Sequence, residues 1–287
     1  MPTARHTVAQ AVRAFRASPA IDHPNGDKDL LDAEDMLEFV LGRPFEDDDE
    51  IEARSLARFR RLVERRVAGE PAAYITGRIT FHGLKLVVGR GAFIPRDSSE
   101  FLAEQAIRRL RRRHDPVHVD LGTGAGPVAL SVAAALPSAR VFGSDISARP
   151  VALARRNARA LGLSNVTFMR GDLFRPLPRR LAGTVDVVSV HPPYVRRGEM
   201  RSLPLEITAH EPKESLTDFS ATGMVLSRRV AVEAPSWLLP GGWLLVEVSP
   251  DRSQAIATLL RRAGFRDVRS TRGQSAVSRV VVGRWGS

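Results

Sequence analysis

The residues with the clearest chemical potential are His191, Pro192, Pro193 and Tyr194, which follow the apolar run at positions 186–190. A run rich in β-branched residues predicts a buried central strand, and the prolines must end it because proline lacks the N–H that a sheet needs. His191 and Tyr194 would then lie at the carboxyl end of the strand, where ligands bind in open α/β sheets. A neutral imidazole there offers one acceptor and one donor, and it can also act as a general base.

A second group of candidate residues follows an earlier predicted strand at 117–121. Gly122, Thr123, Gly124 and Gly126 form a glycine-rich turn before a predicted helix. Glycines at alternate positions let the backbone pass close to a ligand, and their spacing differs from the GxGxxG pattern of dinucleotide-binding folds. We therefore predict a cofactor site at this turn.

Two carboxylates at the ends of the next predicted strands would complete the cofactor site. Asp145 ends the strand at 140–144 and can accept hydrogen bonds from both hydroxyls of a ribose. Asp172 follows the strand at 166–169 and can accept from the exocyclic amine of adenine, and the neighbours Ile146 and Leu173 are assigned to the same site. Each carboxylate could instead cap a helix or a loop. Three successive strand ends that carry the needed groups favour a nucleoside site.

The elements that must position these residues alternate between strand and helix from Ser98 onward, which predicts a parallel sheet with helices on both faces. The predicted strands are 117–121, 140–144, 166–169, 186–190, 243–248, 267–271 and 278–283. Residues 98–287 are therefore predicted to form one α/β domain.

Residues 1–72 predict a small helical bundle. Apolar side chains recur at helical spacing in three segments, namely Val8, Val12 and Phe15, then Ala33, Leu37 and Val40, then Leu56, Phe59, Val63 and Val67. The arginines of the third segment, at 58, 60, 61, 65 and 66, are assigned to its solvated face.

Residues 73–97 predict a linker that contains a β-hairpin. Alternating residues at 74–81 and 84–88 flank the two-residue turn His82-Gly83. The hairpin would join the helical bundle to the α/β domain.

Composition limits the classes of partner and site. The 287 residues are 43% hydrophobic and carry a net charge of +11, which suits a nucleic-acid partner, although a codon bias toward arginine would also produce it. The absence of cysteine excludes disulfides, thiolate metal sites and a cysteine nucleophile. The histidines show no metal-ligand spacing and no apolar run reaches membrane-spanning length, so we expect a cytoplasmic protein without a metal or a membrane partner.

A nucleoside site without a phosphate-binding lysine motif resembles that of the class I S-adenosylmethionine-dependent methyltransferases. The segment at 239–247, Leu-Pro-Gly-Gly-Trp-Leu-Leu-Val-Glu, resembles their turn into the fifth strand. The resemblance implies a Rossmann-like sheet of seven mostly parallel strands with a late antiparallel hairpin. It also implies S-adenosyl-L-methionine as the cofactor.

The flanking segments resemble the HemK/PrmC family, which methylates N5 of the glutamine in the Gly-Gly-Gln loop of peptide-chain release factors. The matching segments are 31–34, 69–77, 81–83, 93–96 with Glu100, 120–126, 192–194 and 211–212. The resemblance implies that Phe93 lies near the methyl end of the cofactor and that the helical domain docks the release factor. It also implies that His191, Pro192, Pro193 and Tyr194 clamp the substrate amide, with Arg96 nearby.

The chain departs from the family pattern at His191, which replaces an asparagine, at 97–99, at 216–223 and at Ser249. In the family the asparagine oxygen and a proline carbonyl accept the two N–H bonds of the amide, and a neutral imidazole can accept one of them. One alternative to glutamine methylation is another methyl acceptor, either an amino group of RNA or DNA or a hydroxyl with His191 as base. A second alternative is a protein that binds the cofactor without turnover.

Overall fold

The computed structural model describes residues 1–23, 27–273 and 277–286. The helices are α1 (Ala4–Arg16), α2 (Lys28–Leu41), α3 (Ala53–Val67), α4 (Ala72–Thr76), α5 (Glu100–Leu110), α6 (Pro127–Ala135), α7 (Ala148–Ala160), α8 (Leu205–His210), α9 (Lys213–Leu216), α10 (Val225–Glu233) and α11 (Ser253–Arg262). The strands are β1 (Arg78–Phe81), β2 (Leu84–Val87), β3 (Val117–Leu121), β4 (Arg140–Asp145), β5 (Val166–Arg170), β6 (Val185–Val190), β7 (Leu238–Val248), β8 (Arg266–Thr271) and β9 (Arg279–Arg284).

The chain divides into two compact units. Met1–Arg78 and Arg201–Glu211 form the first unit, and the chain from Ile79 to Met200 and from Pro212 onward forms the second. A segment that comes late in the chain, with α8, thus belongs to the helical unit.

The helical unit packs α1, α2 and α3 around one apolar core. Phe15, Leu37 and Phe59 are buried there, as the helical spacing in the sequence predicted. The Thr3 side chain caps α1 by accepting a hydrogen bond from the His6 N–H, and Gly42 ends α2 in the left-handed conformation that glycine adopts easily.

The assignment of Arg66 to a solvated face is wrong. Arg66 is 0% exposed, because it follows Phe59 and Leu62 at helical spacing and shares their inward face. Its guanidinium lies 2.9 Å from a carboxylate oxygen of Asp32 and 2.8 Å from one of Glu206 on α8. The neighbouring arginines at 58, 60, 61 and 65 are exposed or partly exposed, as predicted.

The predicted hairpin begins later than expected. The turn at His82 and Gly83 is present, and both residues have positive φ, as a two-residue hairpin turn requires. Residues 74–76, however, belong to the short helix α4 and not to a strand. The helix forms because Pro71 and two alanines begin it, and left-handed Gly77 ends it.

The second unit is built on a sheet of seven strands in the order β5-β4-β3-β6-β7-β9-β8. The first five of these strands are parallel, and β9 runs antiparallel to both β7 and β8. The predicted seven-stranded Rossmann-like architecture with a late antiparallel hairpin is confirmed, although β7 starts earlier than predicted, at Leu238.

The order of connection reverses at β3, because β4 lies on one side of it and β6 on the other. Ligands bind at the carboxyl ends of the strands beside such a switch point. Every residue of β3 and β6 is buried, which agrees with helices covering both faces of the sheet. Within the described residues, no helix is long and apolar enough to cross a membrane.

Candidate active site

A cavity of about 270 Å³ opens in the second unit at the carboxyl ends of β3, β4, β5 and β6. Of the residues assigned from the sequence, those that line it are Phe93, Gly122, Thr123, Gly124, Asp145, Ile146, Asp172, Leu173, His191 and Pro193. Gly126, Pro192, Tyr194 and Arg96 lie outside the lining. The fold thus brings the glycine turn, the two carboxylates and the imidazole around one cavity.

The glycines of the turn after β3 have two different functions. Gly122 and Gly124 have φ values of 64° and 57°, and no atom lies within 4 Å of where a Cβ would stand. At Gly126 a Cβ would lie 2.8 Å from Cζ of Phe168. Gly122 and Gly124 therefore leave open space beside the backbone, whereas Gly126 allows α6 to pack closely.

Asp145 ends β4 at the edge of the cavity. Its carboxylate accepts a hydrogen bond of 3.0 Å from the N–H of Gly124 and one of 2.9 Å from the N–H of Ser147. Each oxygen keeps a lone pair for another donor, which suits the vicinal hydroxyls of a ribose. Burial raises the pKa of Asp145 above its usual value, and the two backbone N–H groups oppose that rise.

Asp172 lies at the cavity wall after β5. One oxygen accepts a hydrogen bond of 2.7 Å from the guanidinium of Arg229, which also lines the cavity. A carboxylate can accept about four hydrogen bonds, so the second oxygen can serve an amine of a bound nucleoside. No feature of the sequence pointed to Arg229, which lies on α10.

A buried polar network supports the floor of the cavity. Ser189 on β6 donates to Asp120 on β3 at 2.6 Å, Thr123 donates to the other carboxylate oxygen at 2.6 Å, and the His118 ring lies 2.9 Å from the Ser189 hydroxyl. Burial raises the pKa of Asp120 to about 6 and lowers the pKa of His118 to about 3, so His118 is neutral. The network ties β3 to β6 below the glycine turn.

His191 follows β6 between two aromatic rings. The Tyr194 ring stacks on the imidazole at 5.6 Å between centroids, and Phe93 meets it edge-on at 5.7 Å. The Nδ1 atom lies 3.2 Å from the Ser99 hydroxyl and 3.4 Å from a carboxylate oxygen of Glu247, near the end of β7. Burial raises the pKa of Tyr194, so its hydroxyl keeps its proton at neutral pH.

Ser99 and Glu247 were missed as site residues. Glu247 is 0% exposed and stands beside His191 because β6 and β7 run parallel, with Val190 opposite Val246. From the sequence, Glu247 could be placed near the end of a predicted strand. The sequence did not show which strand lies beside it, so its contact with His191 could not be predicted.

The loop at 216–223, which departs from the family pattern, packs against the residues after Pro193. The N–H of Val195 donates to the Leu216 carbonyl at 2.9 Å, and the N–H of Arg197 donates to the Ser220 carbonyl at 3.0 Å. Tyr194 also forms an isolated bridge with Thr217. The loop therefore fixes the backbone that carries Tyr194, whose ring stacks on His191.

We expect Gly223→Ala to lower catalytic turnover by about 10- to 100-fold, because a displacement of about 1 Å in a substrate-positioning group costs that much. Gly223 has φ +63°, and a Cβ there would overlap the carbonyl oxygen of Tyr194. Turnover kinetics and calorimetric titration with the cofactor would check this, and we expect cofactor binding to be retained. Gly198→Ala is the matched control, since a Cβ there meets no atom within 4 Å. Equal activity of the two variants would contradict the prediction.

Among the described residues, no group of three or more His, Asp or Glu side chains is arranged to hold a metal ion. The residues present fit S-adenosylmethionine, because the cavity is lined by glycine backbone, by the carboxylates of Asp145 and Asp172 among others, and by the apolar side chains of Phe93, Ile146 and Leu173.

Both parts of the chain match models of known protein families. Residues 114–253 match a methyltransferase domain family, and residues 16–77 match the PrmC N-terminal domain. A solved T. thermophilus 16S rRNA methyltransferase in complex with AdoMet and guanosine shares the fold, with a TM-score of 0.52 and 17% identity over 72% of this chain and 49% of that one.

Curated relatives match along most of the chain. The release factor glutamine methyltransferase of Bordetella pertussis is 37% identical over 258 residues, which cover 88% of this chain and 94% of that protein. The protein of the same name from Vibrio cholerae is 34% identical over 285 residues, which cover 97% of each chain. The chain belongs to the release factor glutamine methyltransferase family.

Proposed function

We propose that the protein transfers a methyl group from S-adenosyl-L-methionine to the side-chain amide nitrogen of the glutamine in the Gly-Gly-Gln loop of peptide-chain release factors. The observation that carries the proposal is the match to release factor glutamine methyltransferases, which extends over the helical unit as well as the methyltransferase domain. The cytoplasm, where translation factors act, is the compartment that this substrate implies.

The cofactor supplies an electrophilic methyl group on a sulfonium. Gly122, Thr123 and Gly124 would hold it through backbone atoms, while Asp145 would accept from the ribose hydroxyls and Asp172 from the adenine amine. The positions of these groups around one cavity support the assignment. Phe93, Ile146 and Leu173 would supply apolar contacts to the cofactor, and the buried Leu173 would limit the access of water.

The substrate amide is assigned to His191, Pro192, Pro193 and Tyr194. Methyl transfer is an in-line displacement, so the main task of these residues is to aim the nitrogen lone pair. The Pro192 carbonyl would accept one N–H of the amide and the imidazole of His191 the other. Tyr194, which stacks on His191, would form one wall, and Arg96 would contact the substrate beside Phe93.

The helical unit is assigned to docking of the release factor. The PrmC N-terminal domain match covers residues 16–77 of this unit. Such a docking surface would hold the substrate protein while its glutamine enters the site, which raises the effective concentration of the amide.

The proposal is tested by transfer of labelled methyl to purified unmethylated release factor. We expect label in the release factor and none in a variant whose Gly-Gly-Gln loop reads Gly-Gly-Ala. Ribosomal RNA serves as a competing acceptor, since the net charge of +11 suits a polyanion. Label in RNA, or label that does not depend on the glutamine, would overturn the proposal.

A further inference from the structure

The side chain of Glu247 is buried at the point where β7 meets the active site. It is 0% exposed, and its Oε1 accepts a hydrogen bond of 3.2 Å from the Ser98 hydroxyl. Its Oε2 accepts no hydrogen bond within the described part of the chain. Among the described residues, the Nδ1 atom of His191 lies 3.4 Å from Oε2. Burying a carboxylate costs free energy unless a partner compensates for it. His191 is in the position to compensate for the burial of Glu247.

We propose that Glu247 is a positioning residue that holds His191 with its proton on Nδ1, so that Nε2 accepts a substrate N–H and then the proton released by methyl transfer. This inference rests on the proposed function and deepens it. In the related enzymes an asparagine side chain stands at this position. Here the pair of His191 and Glu247 would take its role.

The charges around the imidazole favour this tautomer. A carboxylate next to Nδ1 stabilises an N–H there, and the Ser99 hydroxyl can accept as well as donate. The Nδ1 side of the ring is thereby occupied by Glu247 and Ser99, at 3.4 and 3.2 Å. The Nε2 atom remains on the opposite edge of a ring that lines the cavity. The distance of 3.4 Å is long for a hydrogen bond, and such contacts shorten when a substrate is bound.

Two guanidinium groups near the ring oppose a positive imidazole, although one of them, that of Arg252, is ion-paired with Glu199. The guanidinium of Arg96 lies 4.7 Å from the Phe93 ring centre, and that of Arg252 lies 5.9 Å from the Tyr194 ring centre. Asp251, which also acts electrostatically on Tyr194, partly offsets them. Because Glu247 is the carboxylate in contact with the imidazole, it is the group that stabilises the protonated form.

The transfer step balances with these groups. The amide nitrogen forms its bond to the methyl carbon as the carbon–sulfur bond breaks, and the electron pair of that bond stays on sulfur. The nitrogen then carries one proton too many, which passes to Nε2 of His191. Glu247 neutralises the resulting imidazolium, and the proton later leaves to water. An asparagine in this position can accept the hydrogen bond but cannot carry the proton.

Four proteins test the proposal: the wild type, Glu247→Gln, His191→Asn and the double variant. We expect Glu247→Gln to lower the transfer rate to release factor by about tenfold or more. This is less than the roughly 100- to 10,000-fold that a general base contributes, because the variant keeps His191 itself. It should also move the acid limb of the rate profile. In the His191→Asn background, which has no imidazole, the same change should alter the rate little and leave no acid limb to move.

A measurement on the protein without cofactor or substrate provides an independent readout. Imidazole ¹⁵N resonances, assigned by comparison with His191→Asn, should show Nδ1 protonated and Nε2 bare in the wild type and a shift toward the other tautomer in Glu247→Gln. A wild-type imidazole with its proton on Nε2 would overturn the proposal. An equal loss of rate in both backgrounds would reduce Glu247 to a structural role.

The two proposals fail in different ways. If the wild type transfers no methyl to release factor, the proposed function fails, and the tautomer measurement still decides how Glu247 acts on His191. If the wild type methylates the glutamine and Glu247→Gln matches its rate profile, the proposed function stands and the inference about the pair is wrong.

Discussion

Replacing Asp145 by alanine is expected to weaken binding of S-adenosylmethionine by about 100-fold or more. A hydrogen bond to a charged group contributes about 1.5–3 kcal/mol, and Asp145 would accept two from the ribose. Two such bonds correspond to about two or more factors of ten in affinity. Isothermal titration calorimetry measures the loss directly, with a thermal melt of the free protein to show that it stays folded.

Glu104→Ala provides the matched control for this experiment, because Glu104 is an exposed carboxylate on α5 that does not line the cavity. Its affinity for the cofactor should equal that of the wild type. An unchanged affinity in Asp145→Ala would show that the carboxylate at the end of β4 does not hold the ribose.

The same carboxylate should make cofactor binding depend on pH. Burial raises the pKa of Asp145, so on acidification it takes up a proton at a higher pH than an exposed aspartate does. The protonated group has lost its charge and part of its acceptor capacity, so affinity should fall as the pH falls through that raised pKa. Cofactor affinity would be measured against pH in the wild type and in Asp145→Asn. The pH dependence that the variant lacks is the contribution of Asp145.

The second large effect concerns the stability of the helical unit. Arg66→Met should destabilise it by about 3 kcal/mol, the lower end of the usual cost of breaking a buried ion pair, because Lys28 still lies 3.1 Å from Glu206 and 3.6 Å from Asp32. The change leaves the carboxylates of Asp32 and Glu206 without the guanidinium that now lies within 3 Å of each. Hydrogen exchange of the amides in α1, α2 and α3 reports this loss locally.

Two further variants make the test specific to the buried charges. Arg61→Met changes an exposed arginine of the same helix, and surface changes of this kind stay within about 0.5 kcal/mol. Adding Asp32→Asn and Glu206→Gln to Arg66→Met removes the two carboxylates, for which Lys28 would be the remaining cation among the described residues, and should restore part of the lost protection. Full protection in Arg66→Met alone would show that the buried ion pairs contribute nothing.

The sequence predicted most of the sheet because its central strands are unusually simple. β3 and β6 are short, fully buried strands in which valine and leucine predominate, and Pro192-Pro193 follow soon after β6, so their position could be inferred from the sequence. Most of the residues proposed to hold the cofactor could also be found from the sequence, since they follow strands and parallel strands end on one side of the sheet.

The contacts that the sequence could not supply join distant segments. Arg66 is paired with Glu206, which lies 140 positions later in the chain. The spacing on α3 could show that Arg66 faces the core, but it could not identify this partner. Glu247 lies beside His191 only because β7 is the neighbour of β6. The helical turn at Tyr74 was missed because its residues also alternate like a strand, and the capping by Pro71 and Gly77 decided the outcome.

The most direct test of the central claim is the location of the transferred methyl group. Release factor incubated with the protein and S-adenosylmethionine would be digested, and fragment spectra of the peptide with the Gly-Gly-Gln loop recorded. We predict one added methyl group on the side-chain nitrogen of the glutamine. A methyl group on another residue, or an unmodified peptide from a protein shown to bind the cofactor, would contradict the account.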